Sequence, residues 1–470
     1  MNCSNFLLLL LFLVSNSAFA GSPAEDALDK ALFDPAKPEV NTDGNIIIVN
    51  GKTIYEKYGR EYSIDTKHIS WSTAKAVSGI LIGIAADQGY FRLSDPVNRY
   101  IPEFNGNAKI IDLLQMSSNI EYFEEYDGVP ILSDIVRMLY LDGPVMGMSE
   151  YTLSRPFRTL TQPGNHFYYS SGDTNLLMEI LKKAVGEEKY KTFPWTEFFN
   201  KTGMDSATFE QDTSGTYIGS SYIYATVRQF ASFMSLLVNG GFHNGVRVIP
   251  EAYFKLMNTV APGARHNHLP GEGNTNYSVQ MHTNQSVDGV GFYSEMPQDS
   301  LYVYGHQGQM FYAIPSYNTV IVHMGNEYGD GIRTWELLKP SWDFIKEKGY
   351  PSFPYKDFEN QSSAAMHSQD KKTKNSHSSL GSIFSKIKGY WEYRRVPKLI
   401  RTLAAKEMCS CLFVIKRNKY QCRNDLKTTL PIRPIFHISW KKKTVSTDFI
   451  IGNSSAAEFV SDRYGCRLLE

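Results

Sequence analysis

From about Glu359 to Ser382 the chain is built of Ser, Lys, Asn, His and Gln with almost no large apolar residue. A stretch of that composition cannot bury enough apolar surface to offset the entropy of ordering it, so it reads as a polar linker that no single core can run through. The 470 residues are also too many for one compact core and, at 42% hydrophobic, too apolar for general disorder. Two folded units are expected, a large one before the linker and a small one after it. The charge divides at the same place. Lys+Arg and Asp+Glu are equal at 48 each, yet residues 356–470 hold 22 basic against 10 acidic side chains, a net of +12, and residues 1–355 carry the matching −12. An acidic main part argues against nucleic acid as a partner. The basic tail suits an anionic envelope surface or its own acidic neighbour.

Phe6 to Val14 is an unbroken apolar run, followed by a polar stretch and by Ala18-Phe19-Ala20 before Gly21. The run is well short of the roughly 20 residues that span a bilayer, and the small-x-small ending suits signal peptidase. Residues 1–20 are therefore expected to be a signal peptide cleaved after Ala20, although the leading segment lacks Lys and Arg. No later segment is long and apolar enough for a membrane span, and the expected location is secreted or periplasmic. Loss of the signal removes Cys3 and leaves Cys409, Cys411, Cys422 and Cys466, all in the basic tail. An even count in a secreted chain points to two disulfides; the spacing matches no common zinc module and leaves the connectivity open.

Asn45–Val49 runs into Asn50-Gly51 and then into the alternating Thr53–Tyr58, a hairpin signal because both turn residues tolerate positive φ. Met310–Ile314 and Thr319–Met324 flank Pro315-Ser316-Tyr317-Asn318, a second hairpin. A long, mostly helical region separates the two. The economical architecture is α+β: one antiparallel sheet assembled from both ends of residues 21–355, an inserted helical region, and a closing helix at about 331–348 over the sheet. After a linker over 356–395, residues 396–470 read as a small α+β unit. Its expected elements are a helix over 396–408 and strands over 412–415, 432–440 and 445–451, in a size range where disulfides become useful.

Ser72-Thr73-Ala74-Lys75 opens a run, Ala76 to Asp87, that is apolar nearly all round and stops at Gly89. Such a helix is buried, and its N-terminus favours developing negative charge at Ser72. Lys75 lies one turn further on the same face, the arrangement of a nucleophilic oxygen with a base beside it. Ser-x-x-Lys occurs four times, but the copies beginning at Ser368, Ser385 and Ser439 fall in the linker or the tail, and only Ser72 starts a buried helix. Downstream, Pro163-Gly164 leads into the aromatic and hydroxyl cluster Tyr168-Tyr169-Ser170-Ser171 and a helix over 176–185. Tyr304-Gly305-His306-Gln307-Gly308-Gln309 runs straight into a strand, and a glycine in that setting marks close approach of another backbone or a ligand.

Ser72-x-x-Lys75, Tyr169-Ser170-Ser171 and His306-Gln307-Gly308, in this order and at these separations, resemble the penicillin-recognising serine hydrolases: class C β-lactamases, DD-peptidases, and related esterases and 6-aminohexanoate-dimer hydrolases. Ile111–Ser118 is similar to that family's DLL-x-M-T-S-G segment, and Met204–Ala207 and Tyr224–Thr226 add to the likeness. The resemblance covers about 43–348 and leaves out the tail. It implies a β-lactamase/DD-peptidase-like sheet flanked by helices, and a reaction that needs neither metal nor other cofactor. It implies that Ser72 attacks a carbonyl to form an acyl-enzyme, with Lys75 and Tyr169 sharing the proton work. The oxyanion hole would be the backbone N–H groups of Ser72 and Gln309, the latter on an edge strand. Ser171, His306, Gly308 and Tyr126 would meet a small-molecule or peptide ester or amide. Two departures bear on the substrate. Ser171 stands where class C β-lactamases carry Asn, and His306-Gln307-Gly308 stands where they carry Lys-Thr-Gly. Lysine is a permanent cation for a β-lactam carboxylate, whereas an ordinary histidine is mostly neutral at pH 7, so less anionic esters and amides are favoured. The alternatives are a DD-peptidase or weak β-lactamase acting on peptidoglycan peptides or penicillins, and an inactive cell-wall-binding or scaffolding relative. Glu121, Tyr122, Glu124 and Tyr126 either line the cleft or form a solvated acidic loop. His266 and His268 read as surface histidines, and Lys441–Lys443 as the cap of a hairpin turn.

Overall fold

The computed structural model describes residues 22–37, 40–124, 130–265, 275–285, 293–327, 334–352, 395–429, 434–448 and 454–469. The expected signal peptide, most of the expected linker, Tyr126, His266 and His268 lie outside the described residues.

The Asn-Gly hairpin forms as its turn chemistry requires: strands β1 (Thr42–Val49) and β2 (Lys52–Tyr58) are joined through Asn50 at φ 52° and Gly51 at φ 72°. Three short strands, β3 (His68–Ile69), β4 (Thr208–Phe209) and β5 (Ile223–Ala225), make a separate sheet in the order β3-β5-β4, whose first strand lies directly upstream of Ser72. A two-stranded ribbon, β6 (Phe242–His243) with β7 (Val246–Arg247), stands beside the helix Val227–Val238. The main sheet is completed by β8 (His282–Thr283), β9 (Leu301–Gly305), β10 (Gln309–Ile314) and β11 (Thr319–Gly325). Its order, β2-β1-β11-β10-β9-β8, brings the two ends of the larger part together, with Ile46 opposite Val322 and Ile47 opposite Ile321.

Alternation along these strands separates two apolar faces. Ile47, Tyr302, Tyr312 and Ile321 pack under the helices Pro23–Leu32 and Thr334–Glu347, the second being the closing helix expected at about 331–348. Ile46, Val303, Phe311 and Val322 face the inserted helical region. In that region Ala74–Asp87 is buried along all but its last two residues, as its uniformly apolar sequence demands, and Ser171–Val185 packs against it.

The tail is a helix, Val396–Cys409, covering an antiparallel sheet of β12 (Ile435–Ser439), β13 (Thr444–Asp448), β14 (Ser455–Ser461) and β15 (Gly465–Leu469). The expected strand at 412–415 is instead part of a π-helical turn, Ser410–Val414, that continues the helix. A short apolar run reads alike as buried strand or buried helix; here Cys411 sits on the helical side because it bonds to Cys422, in the next helix, Lys419–Thr429. The second disulfide, Cys409–Cys466, ties the first helix to β15. Lys441–Lys443 do form the turn between β12 and β13. The tail does not stand apart. Ala404, Met408 and Leu412 belong to the same continuous apolar cluster as Leu139, Phe209 and Tyr222 of the larger part. Ion pairs Arg395–Asp142, Arg60–Asp425 and Lys406–Glu210 cross the junction. Among the described residues no helix is long and apolar enough to cross a membrane.

Candidate active site

Ser72 lies in a single 3-10 turn, Trp71–Thr73, that feeds the buried helix Ala74–Asp87. The turn is sharp. Trp71, a bulky residue, is held at φ 47°, in the left-handed region that costs about 1–3 kcal/mol for a side chain of this kind. What holds it there is local packing: its indole N–H donates to Gln307 Oε1 at 3.1 Å, and its ring meets Tyr222 and His306 at 5.8 and 5.4 Å between centroids. The turn leaves Ser72 partly exposed while both neighbours are buried.

Lys75, only 1% exposed, reaches back one helical turn. Its Nζ donates to Ser72 Oγ at 3.1 Å, to Ser171 Oγ at 2.8 Å and to the Ser220 carbonyl at 3.2 Å. Those three bonds use all the protons of an ammonium group. The face of Tyr169 lies 4.7 Å from the same nitrogen, a cation–π distance. Ser171 is itself buried. Its hydroxyl and backbone N–H both donate to the Glu124 carboxylate, at 2.7 and 2.5 Å, and Glu124 stands 3.9 Å from Lys75. Glu124 is thus a carboxylate one contact behind the lysine, buried with it.

Beside Ser72, the turn His306–Gly308 joins β9 to β10. Gly305 approaches Ser70 so closely that a Cβ there would fall 2.6 Å from the Ser70 carbonyl, the close backbone approach its place in a strand foretold. Gly308 takes φ 85° and a Cβ on it would strike Glu327. Gln309 is fully buried. Its side chain donates to the carbonyls of His306, Gln307 and Gly325 and accepts from the Gly325 N–H, fastening the turn to β11. The sheet order corrects one expectation: β10 is an interior strand, between β11 and β9, because β9 and β8 extend the sheet beyond it.

Ser72, Lys75, Tyr169 and Ser171 therefore come together, and His306, Gly308 and Gln309 belong to the adjoining turn. Several contributors are invisible to motif reading. The Ser220 carbonyl is a backbone atom, and no residue type announces it. Asp173 had a signal in its place at the first turn of a helix capped by Ser170. It is wholly buried, accepts from Ser118 Oγ at 2.7 Å and Ser170 Oγ at 3.3 Å, and burial pushes its carboxyl up to about 7. Two histidines at the sheet are neutral for the same reason: burial lowers His282 to about 3 and His323 to about 4.

An antiparallel sheet flanked by helices, with Ser-x-x-Lys at the start of a buried helix and a glycine turn beside it, defines the class of β-lactamase-like and penicillin-binding proteins. Residues 40–336 match the Beta-lactamase family, and the chain belongs to that family. It is 24% identical over 352 residues to the 6-aminohexanoate-dimer hydrolase of Paenarthrobacter ureafaciens, covering 68% of this chain and 83% of that protein. Among solved structures it is similar to a family VIII carboxylesterase, with TM-score 0.52 and 16% identity over 69% of this chain and 98% of that one. It is similar also to a penicillin-binding protein homologue from Caulobacter crescentus, with TM-score 0.51 and 15% identity over 68% and 96%. These likenesses make the protein a hydrolase of the β-lactamase family with esterase and amidase relatives. The family match ends before the tail.

Proposed function

We propose that the protein is a secreted or periplasmic serine hydrolase that cleaves an ester or amide through an acyl-serine intermediate. The observation that carries this reading is the pairing of Ser72 Oγ with Lys75 Nζ at 3.1 Å at the start of a buried helix. Ser72 Oγ bonds to the substrate carbonyl carbon while its proton passes to Lys75, which must have given up a proton beforehand, with Tyr169 beside it to share the transfer. The carbonyl oxygen becomes anionic and takes hydrogen bonds from the backbone N–H groups of Ser72 and Gln309, each donor worth about 3–4 kcal/mol of transition-state stabilisation. The C–O or C–N bond then breaks, the leaving alcohol or amine receives the proton, and water repeats the sequence to release the acid and regenerate Ser72. Ser171, His306, Gly308 and Tyr126 are the proposed substrate contacts. A carboxylesterase and a 6-aminohexanoate-dimer hydrolase among the similar proteins support this substrate class. Two disulfides support a location outside the cytoplasm, with residues 1–20 as the cleaved signal. In this reading 21–355 is the hydrolase domain, 356–395 a linker and 396–470 an accessory domain.

The test is labelling with a fluorophosphonate probe and a panel of activated esters, amides, penicillin and D-Ala-D-Ala peptides, with Ser72→Ala as control. The label should map to Ser72, and Ser72→Ala should abolish turnover. A label elsewhere, or turnover retained by Ser72→Ala, overturns the mechanism. Slow acylation by penicillin with a lasting adduct would move the protein to the DD-peptidases.

A further inference from the structure

We infer that the tail is a structural half of the catalytic site, and that Glu210 and Lys406 are positioning residues for Lys75. The inference rests on the acyl-serine reading of Ser72 and Lys75. The segment Ile218–Ile223 is the wall on which the catalytic turn hangs. Its Ser220 carbonyl accepts a hydrogen bond from Lys75 Nζ at 3.2 Å, its Gly219 carbonyl accepts from Ser78 Oγ at 2.8 Å, and its Ser221 carbonyl accepts from Ser70 Oγ at 3.0 Å. Ser70 also exchanges bonds with Ile223, its N–H donating to the Ile223 carbonyl at 2.8 Å and its Oγ accepting from the Ile223 N–H at 3.1 Å. Wherever this wall sits, Ser70, Trp71 and the amine of Lys75 must follow.

The wall is in turn held at both ends by one residue. The Glu210 N–H donates to the Tyr222 carbonyl at 3.0 Å, and the Glu210 carbonyl accepts from the Ile218 N–H at 2.9 Å. The side chain of Glu210 belongs to the tail. It is 0% exposed, pairs with Lys406, accepts from Ser410 Oγ at 3.0 Å and accepts from the Cys466 N–H at 2.8 Å. Lys406 also donates to Ser410 Oγ at 3.0 Å and lies 4.1 Å from the ring of Tyr222, the same ring that packs on Trp71. The fit is tight: a Cβ on Gly465 would fall 2.5 Å from Glu210 Cγ. Alongside, the Phe209 N–H donates to the Arg463 carbonyl at 2.9 Å, so tail backbone abuts β4. Cys409–Cys466 clamps the two tail elements that carry these partners. A buried ion pair by itself is weak evidence of stabilisation. This one earns attention because its acidic member is also the backbone clamp on the catalytic wall.

The experiment compares full-length Glu210→Gln, Lys406→Met and the reduced wild type with Arg467→Ala, a tail variant on the outer part of the same sheet. Folding is checked by circular dichroism. In folded protein at low temperature, acylation of Ser72 by the fluorophosphonate should slow by about 10- to 100-fold in the first three, with a shifted pH–rate profile, and stay unchanged in Arg467→Ala. Amide exchange at 218–223 should rise in the same three. Glu210→Gln keeps the acceptor for the Cys466 N–H, so it is the mild variant should Lys406→Met fail to fold. A folded variant with wild-type acylation rate and pH profile overturns the inference. If wild-type protein is never acylated, the hydrolase reading fails first, and the exchange at 218–223 decides the coupling alone.

Discussion

Lys75 and Lys406 are both buried, at 1% and 3% exposure, and are held in opposite ways. Lys406 lies against the Glu210 carboxylate, with the Ser410 hydroxyl as a second partner. An ionised carboxylate only accepts hydrogen bonds, so this pair neutralises itself and has no reason to pass a proton on. Lys75 touches two serine hydroxyls and a carbonyl, and its carboxylate, Glu124, stands off at 3.9 Å behind Ser171. Hydroxyls donate as well as accept, so in the proposed mechanism a proton leaving Ser72 would find partners able to reverse their bonds. The difference is one of partners: a direct counter-ion for Lys406, mostly hydroxyl and carbonyl groups for Lys75, and only the second set suits the proton transfer proposed above.

The sharpest way to break that contrast is to replace each lysine by methionine. Lys75→Met should lower Ser72 acylation by about 1000-fold or more, with a smaller loss of stability than Lys406→Met, because Glu124 stands off at 3.9 Å and keeps its bonds from Ser171. Burst kinetics and calorimetry on one preparation check both halves. Lys406→Met leaves Glu210 buried and unpaired, and should cost about 3–5 kcal/mol in urea unfolding. Adding Glu210→Leu should recover only part of that loss, since the buried Cys466 N–H is left without its acceptor, whereas no second substitution near Lys75 should recover activity.

The disulfides rank next. Cys409–Cys466 spans 57 residues and Cys411–Cys422 only 11. By loop-closure entropy, serine pairs at these positions should cost about 4 and about 3 kcal/mol respectively, measured by urea midpoint, with acylation affected only through the first.

The smallest expected effect is a pH dependence beside Lys75. The Asp173 carboxyl sits near 7 when folded and near its ordinary value when unfolded. Between those values the folded state holds a proton the unfolded state has lost, so stability falls as pH rises toward 7 and levels off above it. His282 and His323, neutral in the fold, act oppositely, since stability drops as acid protonates them on unfolding. The clean measurement is therefore Asp173→Asn minus wild type, which should gain about 1–2 kcal/mol between pH 6 and 8. A flat difference would remove Asp173 from the account.

Much of this was legible in residues whose chemistry is local. Asn50-Gly51 specified its turn, the uniformly apolar Ala76–Asp87 specified a buried helix, and Gly305 marked a close approach. Other features depend on distant chain. Residues 412–414 continue a helix whose neighbours Cys409 and Cys411 are bonded to distant chain, and β10 is interior only because β9 and β8 add themselves beyond it. The Ser220 carbonyl beside Lys75 carries no side-chain signal. Nor did the polar linker and opposite charges reveal that the tail shares the core of the larger part, since apolar residues such as Ala404 and Met408 read as the inside of a separate unit.

The bond from the Trp71 indole to Gln307 couples two turns that a protein engineer would wish to vary separately. The ring of His306 also meets Trp71, so both residues of the turn, His306 by packing and Gln307 by its hydrogen bond, bear on the backbone next to Ser72. If the proposed acyl-serine reading holds, a change at Gln307 would be felt at Ser72 through Trp71, in rate as well as in specificity.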